Sequence, residues 1–470
     1  MSLYQQLAEL FKQQIQQNTW RSGERIPSVR VTSRNHSLSA GTVLQAYQLL
    51  ESQGWIVAKP QSGYFVSSTL ERKLVAPKDE APVRLSINDV LFDFLNSQKN
   101  TGFVKFGSAF PDPNLFPLEL LNRSLASAGR KMQPDGILDN LPPGSETLRR
   151  LIAQRYIQQG MNLTHHDIVL TSGALEALNL SLQAVTQPGD TVVVEVPTFY
   201  GALQAVERLG LKAIPIQVDV SLGLCIDQLE QAFSSHQVKA CWLMSNFQNP
   251  TGASLSDVKK RQIVALAQQY NVCLIEDDVY GELYFSETKP SSLKMYDSVE
   301  QEHVLHCGSL SKSLCPGFRL GWVVTKRHNQ RIQKLQLLST LSGSAPVQQG
   351  IAHYLQNDSY DNHLRKLRKT LMQRQKWMVN TLEMLLPKEV TFQVPNGGYF
   401  LWLKLPDGLS SREVYQRLTE QNITVAGGEL FSTSGSHESY LRLNTSLAEK
   451  SQLVSAIKQI GEVIVELSTV

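Results

Sequence analysis

The chain has 470 residues, 42% hydrophobic and 19% charged, with 29 Gly and 20 Pro. That length exceeds one small domain, and the ordinary composition excludes collagen-like and mostly disordered chains. No run approaches the ~20 apolar residues of a membrane span, and the amphipathic start MSLYQQLAELFKQQIQQ lacks the apolar stretch of a cleavable signal peptide.

The five cysteines are odd in number and show no CxxC spacing, so they read as reduced thiols of a cytoplasmic protein. Lys and Arg total 45 against 42 Asp and Glu, a formal net charge of +3. Residues 1–70 hold six basic and three acidic side chains, and the remainder balances. The whole positive excess therefore sits on a short N-terminal piece, the asymmetry expected of a nucleic-acid-binding module joined to a neutral body.

In chain order, residues 1–67 read as one small module. Leu3, Leu7, Phe11 and Ile15 recur every four residues and give one apolar helix face. Ile26-Pro27-Ser28 breaks the chain and offers Ser28 as N-cap for a second helix through Arg34. Ser39 is the expected cap of a third helix, with Val43, Ala46, Tyr47 and Leu50 facing inward. Residues 55–58, a turn over 59–63 and residues 64–66 alternate as a β-hairpin. This order is the plan of a winged helix-turn-helix, an α+β unit.

Residues 68–100 begin with STLERKLVAPKDEAP, expected to be a flexible or extended linker, and continue with SINDVLFDFLNSQ, expected to be a docking helix. Over 101–335, apolar β-branched runs at 168–171, 191–196, 213–218, 240–245, 272–276, 304–307 and 320–324 alternate with helical patterns such as 174–185 and 257–269. The alternation predicts an α/β domain whose mostly parallel central sheet is covered on both faces. Long helical stretches then lead to strands at 397–405 and 440–444, a small C-terminal α+β subdomain over 336–470.

Four motifs fall at the ends of predicted strands, where open α/β sheets collect ligands. Thr171-Ser172-Gly173-Ala174 offers a helix N-terminus to a phosphate, although an ordinary βα turn reads the same way. Asn249-Pro250-Thr251-Gly252 is common loop chemistry that gains interest by following a buried strand. Ile275-Glu276-Asp277-Asp278-Val279-Tyr280 ends an apolar strand in adjacent carboxylates; either one faces a cation or the strand end is simply solvated. Gly308-Ser309-Leu310-Ser311-Lys312, followed by Pro316-Gly317-Phe318-Arg319, sets a lysine among hydroxyls ahead of an arginine. A Schiff-base nucleophile beside an anion site has this composition, and so, taken singly, does a surface charge. His303 and His306 are three apart on one predicted strand and make a poor metal pair, and His165-His166-Asp167 reads as a solvated turn. No metal site is expected.

Taken together, Gly173-Ala174, Phe199-Tyr200, Asn249, Asp277 with Tyr280, Lys312 and Arg319 closely resemble the fold-type I, class I/II aminotransferases, which use pyridoxal 5′-phosphate. The resemblance covers roughly residues 101–470. It implies that Lys312 forms the imine with the cofactor and that Asp277 keeps the pyridine nitrogen protonated, so that the ring acts as an electron sink. It implies that Asn249 and Tyr280 hydrogen-bond the phenolic oxygen. Ser309, Ser311, Arg319 and the Gly173-Ala174 amides would hold the phosphate, and Phe199, with Tyr200 as the alternative, would stack on the ring. Arg442, in Tyr440-Leu441-Arg442-Leu443-Asn444, takes the place of the arginine that clamps a substrate α-carboxylate; on local sequence alone a surface salt-bridge arginine fits equally. Asn396-Gly397-Gly398-Tyr399-Phe400 resembles the glycine-rich strand that approaches the substrate.

The N-terminal stretch, from Ile26-Pro27-Ser28-Val29-Arg30 through Ser39-Ala40-Gly41-Thr42-Val43 to Ser62-Gly63-Tyr64-Phe65-Val66, resembles the GntR winged helix. Joined to such a body it resembles the MocR/PdxR subfamily of bacterial transcriptional regulators over essentially the whole chain, and GSAFPDPNLFP at 107–117 matches a subfamily stretch. The resemblance implies a third helix in the major groove of double-stranded DNA and a wing on the backbone or minor groove. Arg30 and Arg34 would contact phosphates, Ser39, Ala40, Gly41, Thr42 and Gln45 would present the recognition helix, and Lys59 and Gly63 would form the wing. The family's usual Ser-Arg is Ser39-Ala40 here, which shifts the weight of binding to Arg30, Arg34 and Lys59.

The expected function is a pyridoxal-phosphate-dependent, DNA-binding transcription regulator whose body senses an amine or amino acid. The alternative is an active amino acid aminotransferase carrying an accessory DNA module, because no member of the catalytic set is missing. A plain repressor with an inert body fits least. The resemblance further implies a homodimer, head-to-tail in the MocR case, with no membrane association.

Overall fold

The computed structural model describes residues 2–16, 20, 23–59, 62–67, 89–100, 102–134, 138–298, 300–432 and 437–468. The chain divides into two compact units, Met1–Asp79 and Glu80–Val470. Most of the linker expected over 68–100, residues 68–88, lies outside the described residues.

The first unit carries helices α1 (Leu3–Gln16), α2 (Val29–His36) and α3 (Ala40–Ser52), then an antiparallel hairpin of β1 (Ile56–Lys59) and β2 (Gly63–Val66). Both expected N-caps form. Ser28 Oγ accepts from the Val31 amide at 3.4 Å and Ser39 Oγ from the Thr42 amide at 3.1 Å, satisfying N–H groups the helices leave free. Leu7, Phe11, Ile15, Val43, Ala46, Tyr47 and Leu50 make the core. Leu3 departs from the expected face and is 60% exposed, one turn beyond the reach of that core. The Tyr47 hydroxyl shares a 2.7 Å hydrogen bond with Thr32 Oγ1 and donates to the Pro27 carbonyl at 2.7 Å, which pins α2 against α3. Burial pushes that hydroxyl's pKa up to about 12.

The second unit begins, among the described residues, with α4 (Asp89–Ser97) and β3 (Val104–Lys105). Its large sheet is built from β4 (Ile168–Thr171), β5 (Thr191–Val196), β6 (Lys212–Asp219), β7 (Gly223–Leu224), β8 (Val238–Leu243), β9 (Cys273–Asp277), β10 (Val304–Ser309) and β11 (Gly321–Val324). The spatial order is β4-β11-β10-β9-β8-β5-β6-β7. The interior run β10-β9-β8-β5-β6 is parallel, whereas β11 runs antiparallel to both its neighbours and β7 antiparallel to β6. Buried strands such as β8 carry apolar residues on both faces because helices cover both, Ala174–Val185 beside Ala240 and Trp242 and Asp257–Tyr270 beside Cys241 and Leu243.

A smaller sheet of β12 (Thr391–Phe392), β13 (Phe400–Lys404), β15 (Ala426–Gly427) and β16 (Tyr440–Asn444) packs with the helices Tyr360–Leu385 and Ser451–Ser468 around its own core. The remaining strand, β14 (Ile423–Thr424), pairs with β3, so residues 104–105 join the small subdomain although they precede the large sheet in the chain. The strand expected from 397 starts at Phe400. Gly397 makes an isolated bridge to Tyr284 instead, where a Cβ would lie 2.4 Å from the Phe247 ring.

Candidate functional site

Strand β9 ends in Asp277 and the neighbouring parallel strand β10 ends in Ser309, so pairing in register sets the acid beside the Ser309–Lys312 turn. Asp277 is buried, and its Oδ1 has no hydrogen-bond partner. An orphaned carboxylate oxygen inside a protein is costly unless a donor or cation fills the place it faces. Burial, reinforced by the charge of Asp278, pushes the Asp277 pKa up to about 7, against the opposing N–H of Val279 and the charge of Lys312. The Lys312 amine is shifted the other way: burial and then the charge of Arg442 lower its pKa to about 7, with Asp277 opposing. Acid and amine thus feel each other's charge within one site. Lys312 Nζ donates to the Ala109 carbonyl at 2.8 Å and lies 4.2 Å from the centre of the Phe110 ring and 6.0 Å from that of Tyr280.

The turn after β4 and the loop before β11 come together as a candidate anion cradle. Gly173 has φ +98° and opens the helix Ala174–Val185, whose first amides are free of intrahelical partners. Arg319, itself at φ +46°, brings its guanidinium over that turn, with Nη2 3.4 Å from the Ser172 carbonyl. Ser309 Oγ donates to Ser311 Oγ at 2.9 Å and accepts from the Ser311 amide at 2.9 Å. Two hydroxyls, a helix N-terminus and an exposed guanidinium make up the set a phosphate needs.

Arg442, on β16, is fully buried. The surface salt-bridge reading left open by the local sequence is thereby excluded. Nη1 donates to Asn249 Oδ1 at 2.7 Å, Nη2 to the Gly107 carbonyl at 2.6 Å, and Nε finds no partner. The guanidinium is sandwiched at 4.4 Å from the Phe400 ring and 4.9 Å from the Phe431 ring. Burial lowers its pKa, with nearby Tyr200, Tyr280 and Tyr399 acting the other way. Tyr280 packs edge-on against Tyr399 at 5.6 Å, and the Tyr399 hydroxyl donates to the Ala109 carbonyl at 3.0 Å. Phe199 is half-buried next to Tyr200, ring centres 4.6 Å apart.

Several residues that support these groups gave no motif. Glu195, inside the apolar run of β5, accepts from the Met244 amide at 3.0 Å, and burial raises its pKa to about 8. Gln248 donates to the Pro197 carbonyl at 2.6 Å and accepts from Thr251 Oγ1 at 2.7 Å, which fixes the loop that presents Asn249. The next acid in the sequence serves elsewhere: Asp278 Oδ1 accepts from Asn246 at 3.1 Å and lines a cavity of about 40 Å³ with Arg155, Glu282 and Lys289. Glu276 and His306, paired across β9 and β10, are joined at 2.8 Å, and His306 reaches Tyr156 OH at 2.8 Å. His306 is thus a buried structural partner. Among the described residues no group of three His, Cys, Asp or Glu side chains is arranged to hold a metal.

On the first unit, Arg30, Arg34, Ala40, Gly41, Gln45 and Lys59 are exposed, and Thr42 is half-buried. Ser39 is exposed with its hydroxyl engaged in the cap, and Lys59 Nζ lies over the Phe65 ring at 4.5 Å. A Cβ on Gly63 would lie 3.2 Å from the Arg25 guanidinium. Exposed cationic groups thus lie on α2 and the hairpin, and exposed small groups at the start of α3.

Residues 127–460 match the family model for aminotransferase class I and II, and residues 3–66 that for bacterial regulatory proteins of the gntR family. The chain is 48% identical over 471 residues to the HTH-type transcriptional regulator YdcR of Escherichia coli K12, covering 99% of this chain and 100% of that one. To YjiR, an HTH-type transcriptional regulator of the same organism, it is 33% identical over 467 residues, 99% of each chain. LysN, the α-aminoadipate aminotransferase of Thermus thermophilus complexed with N-(5′-phosphopyridoxyl)-L-leucine, superposes with a TM-score of 0.75 at 25% identity, over 82% of this chain and 96% of LysN. Membership of the aminotransferase family implies pyridoxal 5′-phosphate as the cofactor. The chain belongs to the HTH-type transcriptional regulators that join a gntR winged helix to a class I and II aminotransferase body, the MocR/PdxR arrangement.

Proposed function

We propose that the body binds pyridoxal 5′-phosphate at Lys312 and senses an amino acid there, and that the winged helix answers by changing its hold on double-stranded DNA. The observation that carries this reading is the unpartnered, buried Asp277 Oδ1 sharing a site with a lysine whose pKa is lowered to about 7. The residues present fit the group. Asp277 offers the carboxylate that a pyridine N–H requires. Gly173, Ala174, Ser309, Ser311 and Arg319 would form the phosphate seat, Asn249 and Tyr280 would hydrogen-bond the phenolic oxygen, and Phe199, or its neighbour Tyr200, would stack on the ring. When bound, the cofactor supplies an electrophilic carbon for amines and an electron sink.

The chain's own groups do the rest. Lys312, near neutrality at physiological pH, presents a free amine for bonding and exchanges protons there. Arg442 offers its unpartnered Nε, with Nη2, to an α-carboxylate. The buried rings of Tyr280, Phe400 and Phe431 keep water from these charges and strengthen the interactions inside. Arg30, Arg34 and Lys59 would take DNA phosphates, with Ala40, Gly41, Thr42 and Gln45 at the base edges. A homodimer would read two half-sites, which sedimentation on and off DNA would count.

A second reading, an amino acid aminotransferase with an accessory DNA module, is favoured by the same lysine, poised as a proton acceptor. Absorbance spectroscopy separates the two. A regulator shows a cofactor band that amino acids shift while DNA affinity changes. An aminotransferase loses the band stoichiometrically as the amino acid leaves as its oxo acid, and an added oxo-acid acceptor restores the band by taking up the amino group. DNA affinity that neither cofactor nor any amine alters would overturn the sensing reading.

A further inference from the structure

The segment 107–110 runs across the site, and two alternate carbonyls of it hold the site's cations. Gly107 O accepts from Arg442 Nη2 at 2.6 Å, and Ala109 O accepts from Lys312 Nζ at 2.8 Å. Ser108 O and Phe110 O are tied to Asn444 Nδ2 at 3.1 and 2.7 Å. Gly107 also has no room for a side chain. A Cβ there would lie 2.8 Å from the Val425 carbonyl carbon and 3.0 Å from Phe94 Cε2 of α4. Phe94 is 2% exposed and shares a cluster with Leu91 of α4 and with Phe431, whose ring lies 4.9 Å from the Arg442 guanidinium. The Tyr415 hydroxyl donates to Ser97 Oγ at 3.3 Å, at the other end of α4. In chain order α4 is the first described element after the winged-helix unit.

We infer that an α-carboxylate bound at Arg442 displaces the Gly107 carbonyl, and that Phe94 passes this displacement to α4 and so toward the chain leading to the winged helix. The inference rests on the sensing reading above and specifies its regulation. A carboxylate outcompetes a neutral carbonyl for a guanidinium, because it can accept two parallel N–H bonds and adds the attraction of opposite charges in a buried site. A side-on carboxylate needs the free Nε and one of the two N–H groups of Nη2, so of the bonds Arg442 already makes, the Gly107 one, which shares that nitrogen, is the one in contest. In a close-packed interior Gly107 cannot move without Phe94 or Val425 moving too. An amine that lacks a carboxylate would replace Lys312 on the cofactor, freeing the lysine amine, but it offers nothing to Arg442, so Gly107 keeps its bond and binding and signalling are separable. The ligand class that signals is therefore an amino acid, as opposed to a simple amine.

The test uses the full-length, cofactor-loaded protein and hydrogen–deuterium exchange read by mass spectrometry. One probe is whichever common L-amino acid most shifts the cofactor absorbance; the other is n-butylamine. The expected result is faster exchange of amides 91–97 and 104–110 with the amino acid, and unchanged exchange with n-butylamine although it also shifts the absorbance. An absorbance shift by the amino acid with unchanged or slowed exchange there overturns the inference, as does an equal response to n-butylamine. If neither probe shifts the absorbance, the sensing reading itself fails, and the inference with it. Phe94→Leu gives a second arm, read on a duplex selected by the protein from a random library. It is expected to keep the amino-acid absorbance shift and to lose most of the amino-acid-dependent change in DNA affinity. A wild-type response in folded Phe94→Leu overturns the inference.

Discussion

The guanidinium of Arg319 occupies the space that any side chain at Gly173 would need: a Cβ there would lie 2.5 Å from Nη2. Backbone and cation are therefore shaped to one another before any anion arrives. Gly173→Ala is expected to lower cofactor affinity at least about tenfold by pushing Arg319 aside, and to cost about 1–3 kcal/mol through its φ of +98°. Absorbance titration and thermal melting read the two effects separately. Unchanged cofactor affinity would remove Arg319 from the phosphate seat.

Asp277 stabilises nothing until a cation meets it. Its folded pKa of about 7 lies above the ordinary 3.8, so the folded chain keeps a proton that the unfolded chain releases. Cofactor-free protein should thus lose stability as pH rises from about 4 to 7. Asp277→Asn should flatten that slope, leave the cofactor-free form more stable at pH 7 by on the order of 2 kcal/mol, and weaken cofactor binding. Denaturant melts across this pH range check the sign.

The Lys312 amine titrates near 7, well below the 10.5 of a free lysine. Only the neutral amine attacks a carbonyl, so the rate at which cofactor-free protein takes up pyridoxal phosphate should climb with pH below about 7 and level off above it. A lysine of ordinary pKa would give a rate still climbing at pH 9. Stopped-flow absorbance distinguishes these profiles.

Much of this arrangement is legible in the residues. The motifs at 171–174, 249–252, 275–280 and 308–319 fall at strand ends because apolar β-branched runs mark the strands that carry them. Strand direction is not written in such runs, so nothing in 320–324 shows that β11 is antiparallel to its neighbours. Pairing of Val104 with Ile423 spans most of the body and leaves no local pattern. Glu195 hides inside TVVVEV, where only burial reveals it as a supporting acid. The carbonyls of Gly107 and Ala109 are backbone acceptors that any residue type would supply. Their stretch was visible as a motif, but its contacts were not. Arg442 was ambiguous because a strand's alternation does not say which neighbour covers it.

On the winged helix, Arg30→Ala and Arg34→Ala should each weaken binding to all DNA sequences alike and reduce the slope of log affinity against log salt by about one. Gln45→Ala should change sequence preference more than the salt slope. Ser39→Ala, which removes the N-cap of α3, should cost about 1 kcal/mol in the stability of this unit. Fluorescence anisotropy over a salt series and melts of the full chain measure these effects.

The most direct measurement is borohydride reduction of the purified, cofactor-loaded protein followed by peptide mass spectrometry. One phosphopyridoxyl group per chain, attached to Lys312 and absent from Lys312→Ala, which still binds DNA, is the expected result. A label on another lysine, or none on a protein that shows the cofactor's absorbance, would contradict the assignment of this site.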